Sequence, residues 1–258
     1  MTWFFIIFAA VLGLIIGSFL NVVILRYNTG RSLGGRSGCL ACSQSLRWFE
    51  LIPVLSFLFL GGRCRNCQTK VSWQYPLVEL ATAGLFVLSL NQFYPVWPEI
   101  ILSWLIISLL VVITVYDLRH KIIPETLVYF FASLALLWAL FFGESLFLAL
   151  SAGLVFFVAF WALWYFSHGA WMGFGDAKLV IGIGFLLGLA DGFSALLWAF
   201  SIGAVVGLLL LASTKLKSLP ASWPRFTMKT EVPFAPFLVL GLLLVWLGHF
   251  DLLKLFLF

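Results

Sequence analysis

The sequence predicts an all-α polytopic membrane protein with about eight transmembrane helices and a small cytosolic domain between helices 1 and 2. Composition is the first observation behind this prediction: 63% of the 258 residues are apolar and only 10% are charged. Soluble domains carry roughly 25% charged residues, so this chain has too few to cover a water-facing surface. The one-sided placement of its basic residues supports the same fold class. Together these observations exclude a soluble enzyme, a disordered protein and a disulfide-rich scaffold.

Eight apolar runs are candidates for the membrane helices. A crossing helix needs about 20 mostly apolar residues, because each residue adds ~1.5 Å across a hydrocarbon core of ~30 Å. Seven runs approach this length, whereas run 179–190 is short and reaches only about 18 Å. We expect a loop at Asp191 to separate it from the next run. The predicted spans are 3–25, 77–94, 100–116, 126–142, 146–166, 179–190, 192–213 and 234–250.

The basic residues predict the orientation of these spans. Fourteen of the fifteen Lys and Arg residues fall in alternate loops, and Lys254 in the tail is the exception. Cytosolic loops are enriched in Lys and Arg, so we expect these loops in the cytosol and both termini on the opposite side. The net charge of +5 therefore indicates topology, and we expect no nucleic-acid partner. The fourteen residues are Arg26, Arg31, Arg36, Arg47, Arg63, Arg65, Lys70, Arg119, Lys121, Lys178, Lys215, Lys217, Arg225 and Lys229.

Two pairs of glycines have the four-residue spacing that lets membrane helices approach closely. They are Gly184 with Gly188 and Gly203 with Gly207. We expect both pairs to lie at helix interfaces of a compact bundle.

All four cysteines lie in the one long polar segment, 26–76, in two pairs of identical spacing. Cys39 and Cys42 form the first CxxC pair, and Cys64 and Cys67 form the second. Two such pairs let four thiolates converge on one tetrahedral Zn²⁺ at ~2.3 Å. The alternative is two disulfides, which a reducing cytosol disfavours, so we predict a closed, structural zinc site. The predicted domains are a first membrane helix at 1–25, a cytosolic zinc domain at 26–76 and a membrane domain at 77–258.

An apolar run at 51–60 separates the two cysteine pairs. Its ten residues are too few to cross a bilayer. The run is predicted either to form the small core of the cytosolic domain or to lie on the membrane surface. The sequence is compatible with both.

Two acidic residues, Asp117 and Asp176, lie where apolar runs meet the cytosolic boundary. Asp117 closes the third span and Asp176 opens the sixth, so the topology puts both carboxylates at one depth on one side. Ionisable groups at membrane depth are costly and tend to be functional. Two close carboxylates share one proton, so one can activate water while the other donates to a carbonyl oxygen. The structural alternative is that Asp176 caps its helix and Asp117 pairs with Arg119 or Lys121.

Ordered motifs along most of the chain resemble a known family. They are GSFLNVV at 17–23 with Arg26, CLAC at 39–42, WFELIP at 48–53, GRCRNC at 62–67, YPLVE at 75–79, DL at 117–118 with IP at 123–124, and GFGDAKL at 173–179. In this order they resemble the type IV prepilin peptidases (prepilin leader peptidase/N-methyltransferase). The last motif is similar to the GxGD motif of that class of intramembrane aspartyl protease.

The resemblance implies both activity and partners. Such enzymes cut the short basic leader from prepilins and type II secretion pseudopilins, at the cytosolic face of the bacterial inner membrane. They then methylate the new N-terminal residue with S-adenosylmethionine. Asp117 and Asp176 match the two catalytic aspartates, and the zinc loop is expected to build the methyl-transfer site. Glu50 and Glu79 are candidate contacts for S-adenosylmethionine, on resemblance alone, since the sequence has no glycine-rich fingerprint for that cofactor.

Two positions depart from the family pattern. Glu125 stands where many members have Asp, and Ala235 stands where a glycine is common. We expect Glu125 not to be a third catalytic acid, and we expect Ala235 to reflect a difference in packing.

Three other functions fit parts of the sequence. A proton-coupled transporter could use the two aspartates as a relay, although transporter sites usually lie near the midplane. A membrane-anchored zinc module could act only as a docking platform, which leaves the aspartates without a role. A peptidase of the same fold could lack methylation, and the intact cysteine domain argues against that.

Overall fold

A computed structural model describes residues 3–30, 32–143, 145–215 and 232–252. The described chain is helical, and its only β pairing consists of two isolated bridges, Gly38 with Ser45 and Arg63 with Lys70. The chain divides into two compact units, Met1–Val112 and Ile113–Phe258. The division into three domains at 26 and 77 stays a prediction.

The fold class predicted from the sequence is confirmed. Within the described residues, six helices are long and apolar enough to cross a membrane, namely α1 and α3 to α7. Helix α8 is shorter, and α2 is a single turn preceded by a 3₁₀ turn at Trp48–Leu51. The helices are α1 Trp3–Arg26, α2 Leu55–Phe59, α3 Gln74–Phe93, α4 Trp97–His120, α5 Glu125–Phe142, α6 Leu146–Phe166, α7 Phe174–Lys215 and α8 Ala235–Trp246.

Helix α7 contains both the sixth and the seventh predicted spans. A break divides it at Gly188, where φ is 71° and ψ is −165°. The expected loop at Asp191 is therefore misplaced, because the backbone is helical at Asp191 and leaves helical geometry three residues earlier. Only glycine adopts this conformation at low cost. Each of the eight predicted runs thus contains helix, and the number of membrane crossings stays a prediction.

Some residues behind the predicted orientation lie outside the described part of the chain. Helix α7 ends at Lys215, whose side chain is not described. The residues outside are Arg31, Lys217, Arg225, Lys229 and Lys254.

In the first unit, α1 packs against α3 through glycines. A Cβ added to Gly13 would lie 2.6 Å from the Cα of Ala83, and one added to Gly17 would lie 2.8 Å from the Cα of Glu79. Such contacts bring the two backbones together, as in small-residue interfaces of membrane helices. This packing fixes the position of Glu79 against α1.

In the second unit, α7 packs against α5, α6 and α8. The backbones of α7 and α6 approach closely at Gly184, where an added Cβ would lie 2.5 Å from the backbone nitrogen of Gly153. The sequence correctly placed Gly184 at a helix interface. Its predicted partner Gly188 forms the break instead, and at Gly207 no described atom lies within 4 Å of an added Cβ.

These contacts predict that Gly184→Ala destabilises the protein, because its methyl group would collide with the α6 backbone. Overpacking of this kind costs about 1–3 kcal/mol. The matched control is Gly207→Ala in the same helix, where alanine has open space and a helix propensity better by about 1 kcal/mol. Thermal unfolding in detergent should show a lower Tm for Gly184→Ala and an equal or higher Tm for Gly207→Ala. Equal Tm values for the two variants would contradict the packing described here.

Candidate active site and metal centre

Asp117 lies near the end of α4, where the apolar stretch of that helix meets polar residues. Only 4% of its surface is exposed. Its Oδ2 accepts a hydrogen bond of 3.2 Å from the backbone N–H of Ala235, the first residue of α8. The first N–H groups of a helix lack intrahelical partners and attract negative charge. The start of α8 therefore supplies the donor that the buried Asp117 carboxylate needs.

Asp176 is the third residue of α7, and only 6% of its surface is exposed. Its Oδ2 accepts a hydrogen bond of 3.2 Å from the backbone N–H of Gly173. This return bond from the third helical position is half of a capping box, so the predicted capping role of Asp176 is present. Its Oδ1, however, is buried and has no hydrogen-bond partner in the described part of the chain. Capping therefore uses one oxygen of this carboxylate and leaves the other free.

The structure brings the two aspartates together. Asp117 acts on Asp176 electrostatically, although they come from different helices and are 59 positions apart. Each carboxylate is fixed through its Oδ2 by one backbone N–H. The site thus combines two buried carboxylates, which interact electrostatically, with one oxygen atom that has no partner among the described residues, an arrangement suited to sharing a proton and holding water.

Sequence reasoning missed the contribution of Ala235. The sequence predicts only a difference in packing at Ala235, whereas the backbone N–H of this residue holds Asp117. The available signal was Pro236, since proline is favoured in the first turn of a helix and marks the start of α8.

Glu125 pairs with Lys178 near the start of α7. Its carboxylate forms an ion pair with the Lys178 ammonium, which also lies over the rings of Phe174 at 4.7 Å and Tyr129 at 5.7 Å. Glu125 itself is 67% exposed. This pairing gives Glu125 a role in holding Lys178, two residues after Asp176.

The two cysteine pairs form two copies of one loop. In the first copy the backbone N–H of Cys39 donates to Gln44 O at 3.0 Å, and in the second that of Cys64 donates to Thr69 O at 2.9 Å. In both, the residue after the second cysteine has a left-handed φ, 56° at Ser43 and 58° at Gln68. The isolated β-bridges close the two loops at their bases. Equal spacing in the sequence therefore gives equal backbone geometry.

These loops bring the four sulfur atoms to one point. All four lie within 4.8 Å of one another, and the sulfurs of Cys39 and Cys67 are 3.7 Å apart. Tetrahedral Zn²⁺ with Zn–S bonds of ~2.3 Å requires sulfurs about 3.8 Å apart, so the cluster fits the ion. All four cysteines are free, which leaves the disulfide alternative without support. The hydrogen bond with the Thr69 side chain lowers the pKa of Cys67 to about 6, which favours the thiolate that metals bind.

The two glutamates proposed as cofactor contacts both accept hydrogen bonds from the backbone of the loop. Glu50 Oε2 accepts from the N–H of Arg47 at 2.7 Å, and Glu79 Oε2 accepts from the N–H of Val54 at 2.8 Å. Glu79 is buried in α3 and also bonds the side chain of Ser18 on α1. Both residues therefore shape the loop, and their contact with S-adenosylmethionine stays a prediction.

Two family models match the chain, one over each of its two parts. The Bacterial Peptidase A24 N-terminal domain matches residues 11–93, which include the four cysteines. The Type IV leader peptidase family matches residues 104–208, which include both aspartates. The chain belongs to the type IV leader peptidase family. The family resemblance seen in the sequence is thereby confirmed.

Several curated proteins of this family are similar to the chain. A prepilin leader peptidase/N-methyltransferase of Bacillus subtilis (strain 168) is 33% identical over 92% of this chain and 92% of the relative. One of Myxococcus xanthus (strain DK1622) is 40% identical over 81% of this chain and 64% of the relative. A leader peptide-processing enzyme for type 4 prepilin-like proteins, of Escherichia coli O78:H11, is 34% identical over 91% of both chains. No solved structure matches the chain.

The sulfur cluster predicts close to one zinc ion per chain in the purified protein. Cys42→Ser should lose most of this zinc, because a serine hydroxyl does not replace a thiolate in a closed four-sulfur site. The matched control is Gln44→Ala, an exposed residue of the same loop. Metal analysis of the detergent-purified variants measures the ratio. Equal zinc in the two variants would contradict the assignment.

Proposed function

We propose that this chain is an intramembrane aspartic endopeptidase that removes the leader peptide of prepilins or pseudopilins. The observation that carries the proposal is the buried Oδ1 of Asp176, which lacks a hydrogen-bond partner among the described residues and belongs to a carboxylate that interacts electrostatically with a second buried one, Asp117. Leaving a buried polar atom unpaired is costly, so such an atom indicates a place for a proton, a water molecule or a substrate. The names of the family relatives support prepilin as the substrate class.

The proposed chemistry divides one proton between the two aspartates. Two adjacent carboxylates repel each other when both are ionised, so the pair holds one proton. The ionised partner removes a proton from water as the oxygen attacks the scissile carbonyl. The protonated partner donates a hydrogen bond to the carbonyl oxygen. The two carboxylates titrate as a unit, so the shared proton belongs to the pair.

The position of the pair explains the choice of substrate. Asp117 is three positions from the last residue of α4, and Asp176 lies in the first turn of α7. We place both at the cytosolic face of the bacterial inner membrane, with both chain termini on the other side. A substrate with its apolar helix in the bilayer and its basic leader in the cytosol presents its cleavage site at this depth. The lipid bilayer is therefore a partner in recognition.

We further propose that the chain methylates the new N-terminal residue. The amine nitrogen takes the methyl group of S-adenosylmethionine, S-adenosylhomocysteine leaves, and a proton is released. The N-methyltransferase names of the relatives support this activity. We assign it to the zinc loop, with Zn²⁺ as a structural ion held by Cys39, Cys42, Cys64 and Cys67.

The peptidase proposal predicts that Asp117→Asn and Asp176→Asn each abolish cleavage, because an amide can neither accept the proton of water nor share one. Loss of a general acid or base lowers rates by about a hundredfold or more. The assay uses protein purified in detergent and a prepilin with its leader. Asp191→Asn, in the same helix as Asp176, is the matched control and should cleave at the wild-type rate.

Two outcomes of this assay would contradict the peptidase. Near wild-type cleavage by Asp176→Asn would remove the aspartate from the mechanism. Absence of cleavage by folded, zinc-loaded wild type would favour a proton-coupled transporter or a docking module.

Methylation is tested separately with a substrate that has already lost its leader. Wild type and Asp176→Asn are expected to transfer a labelled methyl group from S-adenosylmethionine, because the two reactions use different residues. Cys42→Ser should transfer much less, since its loop loses the structural ion. A wild type that cleaves but transfers no methyl group would identify a peptidase without this second activity. Loss of transfer in folded Asp176→Asn would contradict separate sites.

A further inference from the structure

The apolar run at 51–60 does not form a core. None of the residues in the 3₁₀ turn or in α2 is buried. The large side chains of α2 are among the most exposed of the loop, at 51% for Leu55, 63% for Leu58 and 86% for Phe59. This exposure excludes the prediction that the run forms the small core of the cytosolic domain.

The two sides of α2 differ. Leu55, Leu58 and Phe59 have the i, i+3, i+4 spacing that places side chains on one face of a helix. We call these three residues the outer face of α2. Phe57 instead packs its ring against Trp73, with centroids 4.9 Å apart, and covers Gly62. The helix is therefore anchored by Phe57 and leaves its outer face without a partner in the described part of the chain.

A hydrogen bond fixes the depth of α2 relative to a membrane helix. The N–H of Val54, just before α2, donates to the buried carboxylate of Glu79 at 2.8 Å. Glu79 is five residues inside α3, which is about 7–8 Å along the helix axis from its start. The 20 residues of α3 are about 30 Å long and match the hydrocarbon core. The start of α2 thus lies beside the outer turns of a membrane span.

This level corresponds to the boundary between headgroups and acyl chains. Surface helices bury their apolar faces about 5–10 Å into that boundary. Val54 holds a φ of 60°, which a β-branched residue rarely adopts, and its bond to Glu79 is made in this conformation. The buried Glu79 carboxylate therefore holds α2 at this level.

The charge of the loop suits an anionic surface. Segment 26–76 has seven basic residues and one acidic residue, Glu50, which already accepts a backbone hydrogen bond. Arg47, Arg63, Arg65 and Lys70, on either side of α2, are exposed. Clusters of Lys and Arg next to a membrane helix are attracted to anionic lipids.

We propose that α2 inserts its outer face into the headgroup–acyl boundary of the bilayer that α1 and α3 cross. The basic residues of the loop lie on anionic headgroups, and Glu79 sets the depth. The occupant of the outer face is thus lipid, and this inference does not depend on the peptidase activity.

The test places an environment-sensitive fluorescent amino acid at Phe59 in the full-length protein, reconstituted in vesicles of phosphatidylethanolamine and phosphatidylglycerol. The control probe replaces Leu40, which is 68% exposed on the first cysteine loop. Compared with the control, the probe at 59 should be quenched at least threefold more by lipids with brominated chains and at least threefold less by aqueous iodide. Equal quenching at the two positions would overturn the proposal. Protection from both quenchers would mean that protein covers the outer face, and would overturn it as well.

A charge on the outer face gives a second, independent test. Leu55→Glu should raise iodide quenching of the probe at 59 toward the control value, because a carboxylate resists entry into the boundary. Leu33→Glu, at 48% exposure elsewhere in the loop, is the matched control and should leave quenching unchanged. Zinc content checks that each variant is folded. If Leu55→Glu does not fold, the quenching of the probes at positions 59 and 40 without this substitution still tests the proposal.

The lipid composition tests the contribution of charge. Replacing phosphatidylglycerol with phosphatidylcholine should lower chain quenching at 59 at least twofold. Unchanged quenching would contradict the proposal that the basic residues of the loop bind anionic headgroups.

Discussion

Asp117 and Asp176 sit in helices built almost wholly of apolar residues, where a buried carboxylate without hydrogen-bond donors costs several kcal/mol. Each carboxylate accepts a hydrogen bond from a backbone N–H at the start of a helix, Asp117 from Ala235 and Asp176 from Gly173. The donors fix one oxygen of each carboxylate, and Oδ1 of Asp176 has no hydrogen-bond partner within the residues that the structure describes. The starts of α7 and α8 must therefore lie near the end of α4. The helix packing of the second unit holds these three helix ends together.

Close helix packing in that unit depends on glycines, which have no side chain to hold the backbones apart. Gly184 lets α7 touch the backbone of α6, and an added Cβ at Gly241 on α8 would lie 2.1 Å from the carbonyl oxygen of Ala195 on α7. The break at Gly188 separates the half of α7 that carries Asp176 from the half that follows. Irregular backbone that is exposed to lipid is costly because its polar groups lack partners. In α7 it is limited to Gly188, so the rest of the helix keeps its backbone hydrogen bonds while its start provides the N–H for Asp176.

The loop of the first unit meets a different constraint, since about 50 residues with few buried apolar side chains cannot hold a shape by hydrophobic burial alone. Two cysteine loops of the same geometry bring four thiols to one point, which a metal ion can close. Glu79 adds a second anchor, because it bonds the loop backbone at Val54 from within a membrane helix. The same anchor turns the apolar α2 toward the membrane boundary, so structural support and membrane contact come from one residue.

The sequence by itself determined the fold class, the helical runs, the matched cysteine pairs and the two aspartates, because apolar length, one-sided basic charge and repeated spacing are local properties of the chain. It misplaced the break in α7 by three residues, since Gly188 and Asp191 are both plausible ends and packing chose the residue that tolerates a φ of 71°. Tertiary structure alone decided which donor holds Asp117, because Ala235 lies 118 positions along the chain and any residue except proline carries the same backbone N–H. It also decided that the outer face of α2 is exposed, since the partner that fixes this run, Glu79, is reached only when the loop folds back onto α3.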